Sequence, residues 1–239
     1  MDIKSYKKDA EYSYTLGAFP TIELLKTRPQ DVIEVYVHST FTDIETIEAL
    51  TKPYHIPVLY QDKIINKLSD KENCFVIGVF KKYQDTLQKD SSHIVLVNPG
   101  NMGNMGTIIR TAIGFGIKNI AIISPGVDVF HPKTIRASMG ALFRINCQYF
   151  ENFETYKQQY SNHEIFCFML NANRQLTIDN CPKPELFSLV FGNEATGLDN
   201  SYLQEGTSII IPQSKEVDSL NITIAAGIGM YLFTQNCIK

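Results

Sequence analysis

The sequence predicts an α/β protein in which a mostly parallel sheet is preceded by a smaller α/β unit. Two observations support this prediction: short apolar, β-branched runs recur along the chain, and most of them alternate with segments of helical periodicity. Continuous apolar strands are typical of parallel sheets that helices cover on both faces. With 239 residues, 44 % of them hydrophobic, the chain suits one large domain or two modest ones.

The first unit is expected to span residues 1–88. Its predicted strands are residues 32–38, 56–60 and 74–80, and its predicted helices are residues 42–52 and 61–70. Thr42 has the right side chain to cap the first of these helices. The polar stretch 81–92 indicates a linker to the next unit.

The second unit, residues 89–239, carries the larger sheet. Its predicted strands are residues 94–97, 119–123, 146–150, 164–170, 187–191 and 207–212. The last helix is predicted to begin near residue 220 and is apolar nearly all round, yet it is too short to span a membrane. We therefore expect it in the core or at a contact between subunits.

Charge, cysteine spacing and hydropathy disfavour several classes of protein. The net charge of −3 counts against a large, charge-driven nucleic-acid surface but leaves room for a local basic patch. Because the cysteines form no C-x-x-C pair, we expect buried free thiols and no zinc or redox motif; they stand at positions 74, 147, 167, 181 and 237. We expect a cytoplasmic protein, since there is no membrane-length apolar stretch and no apolar segment typical of a secretory signal.

The first of three unusual loops includes NMGNMGTIIRTAIGFG, residues 101–116. Gly100, Gly103 and Gly106 are spaced G-x-x-G-x-x-G, which differs from the G-x-G-x-x-G of a dinucleotide-binding turn and disfavours a nicotinamide-dependent oxidoreductase. No P-loop G-K-[ST] follows. Arg110 lies in the apolar run, one turn into the predicted helix, and a guanidinium is costly to bury alone. We expect it to point into a polar site at the helix start, where phosphate or carboxylate binds favourably.

The second and third loops also follow predicted strands. FGNEATGLDN, residues 191–200, contains two glycines, which allow the backbone to approach a ligand closely. In IIIPQSKEVDSLNITIAAG, residues 209–227, Pro212 ends the strand and Ser219 is a good N-cap by type. Each loop alone is also compatible with a plain helix entry or cap. Because ligands of parallel sheets usually bind at the carboxyl ends of strands, the three loops together are a candidate site.

Taken in order, these motifs resemble a known family. The motifs are N-x-G-x-I-I-R-T-A-x-x-F-G (104–116), F-G-N-E-x-x-G-L (191–198), I-P (211–212) and S-L-N (219–221). They are similar to those of the SpoU (TrmH) family of RNA 2′-O-ribose methyltransferases, in the SPOUT superfamily. HPKTIRASMGALFRI (131–145) resembles a further segment of that family. The resemblance covers residues 92–237 well and extends less specifically to the first unit.

The resemblance implies a homodimer in which residues 89–239 form a trefoil knot around an S-adenosylmethionine pocket, with the active site completed across the subunit interface. It implies that residues 1–88 form an RNA substrate-binding domain. From the cysteine spacing and the lack of a membrane-length apolar stretch we expect no metal and no membrane partner. The implied cofactor contacts are Gly192, Asn193, Gly197, Leu198, Ile211, Pro212 and Leu220. The implied catalytic residues are Arg110, Asn104, Glu194, Ser219 and Asn221. Candidates for RNA contacts are Arg136, Arg144, Lys26 and Arg28, with Lys63 and Lys67 as weaker ones.

Several alternatives stay open at this point. Arg110 either deprotonates the ribose 2′-hydroxyl or, since arginine stays protonated at pH 7, holds the adjacent phosphate while a phosphate oxygen or Glu194 accepts the proton. Asn104 aligns with the motif by its distance to Arg110, but Asn101 of the first Asn-Met-Gly copy is the alternative. The substrate is ribosomal or transfer RNA. A catalytically inactive RNA-binding module of the same fold is the alternative function.

Overall fold

The computed structural model of the chain describes residues 3–69 and 73–235. The strands are β1 (Tyr12–Tyr14), β2 (Val32–Val37), β3 (Val58–Tyr60), β4 (Val76–Lys81), β5 (His93–Val97), β6 (Asn119–Ile123), β7 (Asn146–Phe150), β8 (Glu164–Phe168), β9 (Arg174–Gln175), β10 (Phe187–Phe191) and β11 (Thr207–Ile210). The α-helices are α1 (Ala18–Thr27), α2 (Ile44–Thr51), α3 (Asp62–Leu68), α4 (Met102–Gly114), α5 (Pro132–Ala137), α6 (Phe153–Gln159) and α7 (Ile222–Thr234).

The chain divides into two compact units, and neither is continuous in sequence. The first combines Met1–Tyr83 with Asp128–Arg144, and the second combines Gln84–Val127 with Ile145–Lys239. The segment Asp128–Arg144 is bonded at its end to the rest of the first unit. Glu23 Oε2 accepts hydrogen bonds from Arg144 Nε (2.8 Å) and Nη2 (2.6 Å). No local sequence pattern predicts such long-range contacts. The assignment of a substrate-binding and a methyltransferase domain stays a prediction.

The described part of the first unit contains a mixed sheet in the order β1-β4-β2-β3. All three strands predicted for this unit are present, whereas β1 and α1 were not predicted. The prediction that Thr42 caps α2 is wrong, because Asp43 takes the N-cap position and accepts a hydrogen bond from Thr46 Oγ1 (2.7 Å). The last predicted residue of α3, Asp70, lies outside the described residues.

The described part of the second unit contains a sheet in the order β7-β6-β5-β10-β8-β11-β9, and every neighbouring pair is parallel. This confirms the predicted parallel sheet. Every residue of β6 and of β10 is buried, as their continuous apolar sequences indicate. The strands β8 and β11 each end two residues earlier than predicted, and β9 was not predicted.

The strand order reverses direction between β5 and β10. From β5 the chain runs outward through β6 and β7, while β8, β11 and β9 lie on the other side of β10. In open parallel sheets a ligand crevice forms at such a reversal, beyond the carboxyl ends of the two strands. The loops after β5 and β10 are two of the three that the sequence singled out.

Helix α7 has one face in the core and another exposed to solvent. Ala226, Met230 and Phe233 are buried, whereas the side chains of Ile224 and Tyr231 are 55 % and 51 % exposed. The expectation of a core position is therefore confirmed for one face only. Among the helices of the described residues, none has the length and hydropathy needed to cross a membrane.

The described cysteines carry free thiols, as predicted. Cys74, Cys167 and Cys181 are buried, as predicted, whereas Cys147 is only half-buried. Burial raises the pKa of Cys167 to about 12. Cys237 lies outside the described residues. In the part of the chain that the structure covers, no group of histidine, cysteine, aspartate and glutamate side chains could hold a metal ion.

A buried polar network joins β5, β10 and helix α6 near the amino ends of these strands. His93 Nδ1 lies 2.9 Å from the hydroxyl of Tyr156, which lies 2.6 Å from Ser188 Oγ, and His163 Nδ1 lies 3.0 Å from the same Ser188 oxygen. His93 Nε2 lies 2.8 Å from the carbonyl of Gln88. Since a carbonyl only accepts, the proton of the neutral ring belongs on Nε2. These bonds satisfy side chains that are costly to bury unpaired.

This network predicts acid sensitivity. Burial lowers the pKa of His93 to about 4, the Gln88 carbonyl opposes the shift, and His163 adds to it. As the pH falls, His93 takes up a proton near pH 6.5 in the unfolded chain but only near pH 4 in the folded chain. The free energy of unfolding therefore decreases between these two pH values, by roughly 3 kcal/mol in total. Urea unfolding at several pH values should show His93→Gln less stable at pH 7 but converging on the native chain toward pH 4. The exposed His55→Asn is the control, and parallel curves for native and His93→Gln proteins would contradict the assignment.

Candidate active site

The first loop builds the start of helix α4. The side-chain oxygen of Asn101 accepts hydrogen bonds from the backbone N–H groups of Gly103 (2.8 Å) and Asn104 (3.0 Å), which makes Asn101 the N-cap. The helix consequently begins at Met102, inside the first Asn-Met-Gly copy. The two copies have different roles, because Asn101 caps the helix while Asn104 lies in its first turn.

A carboxylate from the second loop completes this helix start. Glu194 accepts hydrogen bonds from the backbone N–H groups of Gly100 (2.9 Å) and Asn101 (3.1 Å) and from Asn104 Nδ2 (3.2 Å). A negative charge is favoured at a helix N-terminus by the unpaired N–H groups and the helix dipole. The loops after β5 and β10 are therefore held together by one side chain.

These bonds keep Glu194 ionised. Partial burial pushes the pKa of its carboxyl upward, but the hydrogen bonds from Gly100, Asn104 and Asn101 outweigh it and hold the pKa below the usual 4.5. A carboxylate with a lowered pKa and three donors already bound is a weaker proton acceptor than a free one. The same arrangement fills the position at the helix start that a dinucleotide pyrophosphate would need, which further disfavours the oxidoreductase reading.

The second loop is a tight hairpin that requires its glycines. The N–H of Gly197 donates to the carbonyl of Asn193 (2.9 Å), and Gly197 has φ +68°, in the left-handed region. A Cβ on Gly192 would lie 2.1 Å from the carbonyl carbon of Gly197, so no other residue fits there. Asn193 Nδ2 donates to the carbonyl of Asn98 (2.7 Å), which adds a second link to the first loop.

The third loop runs from β11 to helix α7. The prediction that Ser219 caps this helix is wrong, because Asn221 is the N-cap and its side-chain oxygen accepts from the N–H of Thr223 (2.8 Å). Both residue types are good caps, so sequence alone did not distinguish them. Ser219 lies instead on the wall of a cavity.

The second and third loops surround one cavity of about 320 Å³, beyond the carboxyl ends of β8, β10 and β11. Eight of the implied site residues line it: Gly192, Asn193, Glu194, Gly197, Leu198, Ile211, Ser219 and Leu220. Asn104, Arg110, Pro212 and Asn221 are not among the described residues that line it. Sequence reasoning missed the segment after β8, from Phe168 to Asn171, which has no glycine motif but ends a strand at the same edge of the sheet.

Arg110 lies away from the helix start. It is the ninth residue of α4, about 12 Å along the axis from Met102 at 1.5 Å per residue, and its side chain is exposed. The prediction that Arg110 lies one turn into its helix is therefore wrong, because the helix begins earlier than predicted. That its side chain points into a polar site stays a prediction. Arg110 directly precedes Thr111, whose methyl group faces Gly227 of helix α7.

The residues predicted to contact RNA all lie in the first unit, and some of them already contact other side chains of that unit. The guanidinium carbon of Arg28 lies 3.6 Å from the centre of the Tyr83 ring, and Arg144 is paired with Glu23. Arg136 is half-buried at the end of α5, and Lys26 is exposed. Lys63 and Lys67 are exposed on α3. Arg28 and Arg144 thus have structural partners within their own unit, which sequence could not reveal.

More than half of the chain matches a known protein family. The model of the SpoU rRNA Methylase family matches residues 91–231. The 23S rRNA (guanosine(2553)-2′-O)-methyltransferase of Bacillus subtilis is 28 % identical over 130 residues, covering 54 % of this chain, and the chain spans about half of that protein's length (52 %). The 23S rRNA (adenosine(1067)-2′-O)-methyltransferase of Streptomyces azureus is 22 % identical over 236 residues, covering 89 % of this chain and 87 % of that protein.

The fold is also similar to solved structures. The AdoMet-bound rRNA methyltransferase from Sinorhizobium meliloti superposes with a TM-score of 0.82 at 24 % identity, covering 96 % of this chain and 89 % of that one. At this level of identity the likeness concerns the fold. It extends over both units of the chain.

The contact between Glu194 and helix α4 leads to a prediction. Glu194→Gln places an amide donor against the N–H groups of the helix start, so we expect a loss of about 1 kcal/mol of folding free energy at pH 7.5. Since the pKa of Glu194 lies below 4.5, its stabilisation is present at neutral pH and is lost as the pH falls through the lowered pKa. Urea unfolding should show native and variant chains converging at acid pH. The exposed Glu185→Gln is the control, and equal stability of Glu194→Gln and native chains at pH 7.5 would refute the prediction.

Proposed function

Since the chain belongs to the SpoU rRNA methylase family, we propose that it transfers a methyl group from S-adenosylmethionine to a ribose 2′-hydroxyl in ribosomal or transfer RNA. The observation that carries the proposal is the cavity. Two family motifs, residues 191–198 and 211–221, line it together, and Glu194 links them to a third that lies some 90 residues earlier in the chain. The Bacillus and Streptomyces relatives are, by name, 2′-O-methyltransferases of 23S rRNA.

The cavity suits the cofactor in size and chemistry. Its volume lies at the lower end of the roughly 300–1,000 Å³ typical of small-molecule sites. Apolar side chains and backbone groups dominate the wall, and Glu194 is the one charged side chain among the described residues that line it. Backbone groups around Gly192, Ile211 and Leu220 would hold the cofactor, because adenine needs neutral donors and acceptors in an apolar slot. The sulfonium of bound S-adenosylmethionine supplies an activated methyl group.

The transfer forms a bond between the ribose 2′-oxygen and the methyl carbon, breaks the carbon–sulfur bond and releases the hydroxyl proton. The hydroxyl is a poor nucleophile at pH 7 and must be polarised or deprotonated as it attacks. Because a guanidinium is a hydrogen-bond donor and not a practical base in proteins, we assign Arg110 the phosphate-holding role. Of the two proton acceptors considered, the phosphate oxygen is favoured over Glu194, because the helix start already engages that carboxylate.

We propose that the active protein is a homodimer formed through helices α4 and α7. The exposed side chains of Ile224 and Tyr231 give α7 an apolar outer face, and Phe115, just after α4, lies 6.1 Å from the Tyr231 ring between centroids. Exposed apolar patches of this kind are typical of interfaces. A second copy on this face would place Arg110 against its partner, which would account for a charged side chain that does not line its own cavity.

We also propose that residues 89–239 form a trefoil knot. The cavity walls come from loops after β8, β10 and β11, and a knot would hold these three loops against one another. The roles of Asn104 and Asn221 in positioning the ribose, the use of residues 1–88 as an RNA-binding domain and the cytoplasmic location also stay predictions.

The methyltransferase proposal is tested by Arg110→Ala. We expect transfer of radiolabelled methyl from S-adenosylmethionine to ribosomal or transfer RNA to fall by about 100-fold or more, because phosphate and ribose positioning is lost. Calorimetry should show nearly unchanged cofactor affinity. Lys118→Ala, a nearby exposed cation, is the matched control. Full activity of Arg110→Ala would refute its role, and a native protein that binds no cofactor would favour the inactive RNA-binding module.

The dimer proposal is tested by Ile224→Glu. A charge in the apolar outer face of α7 should prevent association, because burying it unpaired is costly. Light scattering coupled to size exclusion should give the mass of two chains for the native protein and of one for the variant. Ile178→Glu, at a side chain that is 67 % exposed elsewhere in the unit, is the control. A native protein with the mass of one chain would contradict the proposal.

A further inference from the structure

Two stacked phenylalanines form part of the cavity wall. Phe168 ends β8 and Phe191 ends β10, and their rings stack with centroids 4.3 Å apart and planes 23° from parallel. Both residues line the cavity. Phe191 thus covers one face of the Phe168 ring, and the pair also borders the cavity.

Helix α7 crosses these rings at Gly229, in the middle of the helix. A Cβ at this position would lie 2.6 Å from Phe168 Cζ, 3.1 Å from Phe168 Cε1 and 3.3 Å from Phe191 Cζ. Glycine is among the least favourable residues in a helix interior, so its presence here needs a cause. The close approach of the two rings supplies it. Ile222 and Ala225, earlier on the same helix, line the cavity as well.

We propose that Gly229 is a positioning residue for the cofactor cavity. The missing side chain lets α7 lie against the phenylalanine pair and keeps Phe168 stacked on Phe191 as a flat wall. Any larger residue drives the Phe168 ring into the cavity or moves Ala225 away from it. This inference rests on the proposed function, in that the cavity is taken to bind S-adenosylmethionine.

The experiment compares two glycines of one helix. Gly229→Ala should weaken binding of S-adenosylhomocysteine, measured by calorimetry, by about tenfold or more, because overpacking reshapes the cavity. Gly227→Ala is the matched control, since its Cβ would meet only Thr111 Cγ2, at 3.8 Å. Both changes favour the helix by propensity, so a loss confined to Gly229→Ala cannot come from a weakened helix. With RNA substrate, KM for S-adenosylmethionine should rise in Gly229→Ala while kcat at saturation stays near native.

A second variant tests the route of the effect. Adding Phe168→Leu to Gly229→Ala removes the ring atoms that would clash, and affinity should return to within about twofold of Phe168→Leu alone. If Gly229→Ala does not fold, recovery of folding in the double variant supports the same clash, and failure to recover overturns it. Native affinity in Gly229→Ala overturns the inference while leaving the proposed function standing. A native protein that binds neither S-adenosylmethionine nor its product overturns both.

Discussion

Two backbone N–H groups just before helix α4 and the side chain of Asn104 in its first turn donate to one carboxylate, that of Glu194, which lies in the loop after β10. The first N–H groups of a helix need hydrogen-bond acceptors. A hairpin at the end of a strand needs a contact that holds its orientation. One ionised side chain meets both needs at the point where the strand order reverses. The hairpin that carries Glu194 is the same one that lines the cavity, so the wall of the site and the start of the helix cannot move independently.

The sequence was sufficient for the sheet and for most of the loops around the cavity. Mostly apolar runs such as residues 187–191 correspond to buried parallel strands, because strands covered on both faces need apolar side chains on both sides. The elements missed were short or weakly marked. The strand β1 has three residues, β9 has two, and α1 starts at Gly17 without a side-chain cap. Nothing local distinguishes such segments from loops.

The arrangement within the site depended on contacts that no local pattern encodes. The sequence indicated that Gly192 lies at a ligand loop, but not that Gly197 occupies the space of its missing side chain. It identified Arg110 as an anomaly, yet the capping bonds of Asn101 decide how far along its helix this arginine lies. It could not show that Phe168 joins the wall, because the signal there is a strand end without a motif. Contacts between residues some 90 positions apart in the chain depend on the tertiary structure, so local sequence patterns do not reveal them.

The hairpin after β10 also constrains how this protein can vary. The closure between Asn193 and Gly197 and the crossing at Gly192 fix the number of residues in the turn, while the side chains of Ala195 and Thr196 between them are exposed. Adding or deleting a single residue there would break the hydrogen bond between Asn193 and Gly197 and open the turn that carries Glu194. Substitution at positions 195 and 196 leaves the backbone path unchanged. The fold therefore constrains the length of this hairpin and its residues at 192, 194 and 197, whereas positions 195 and 196 can vary as far as the cavity that they line permits.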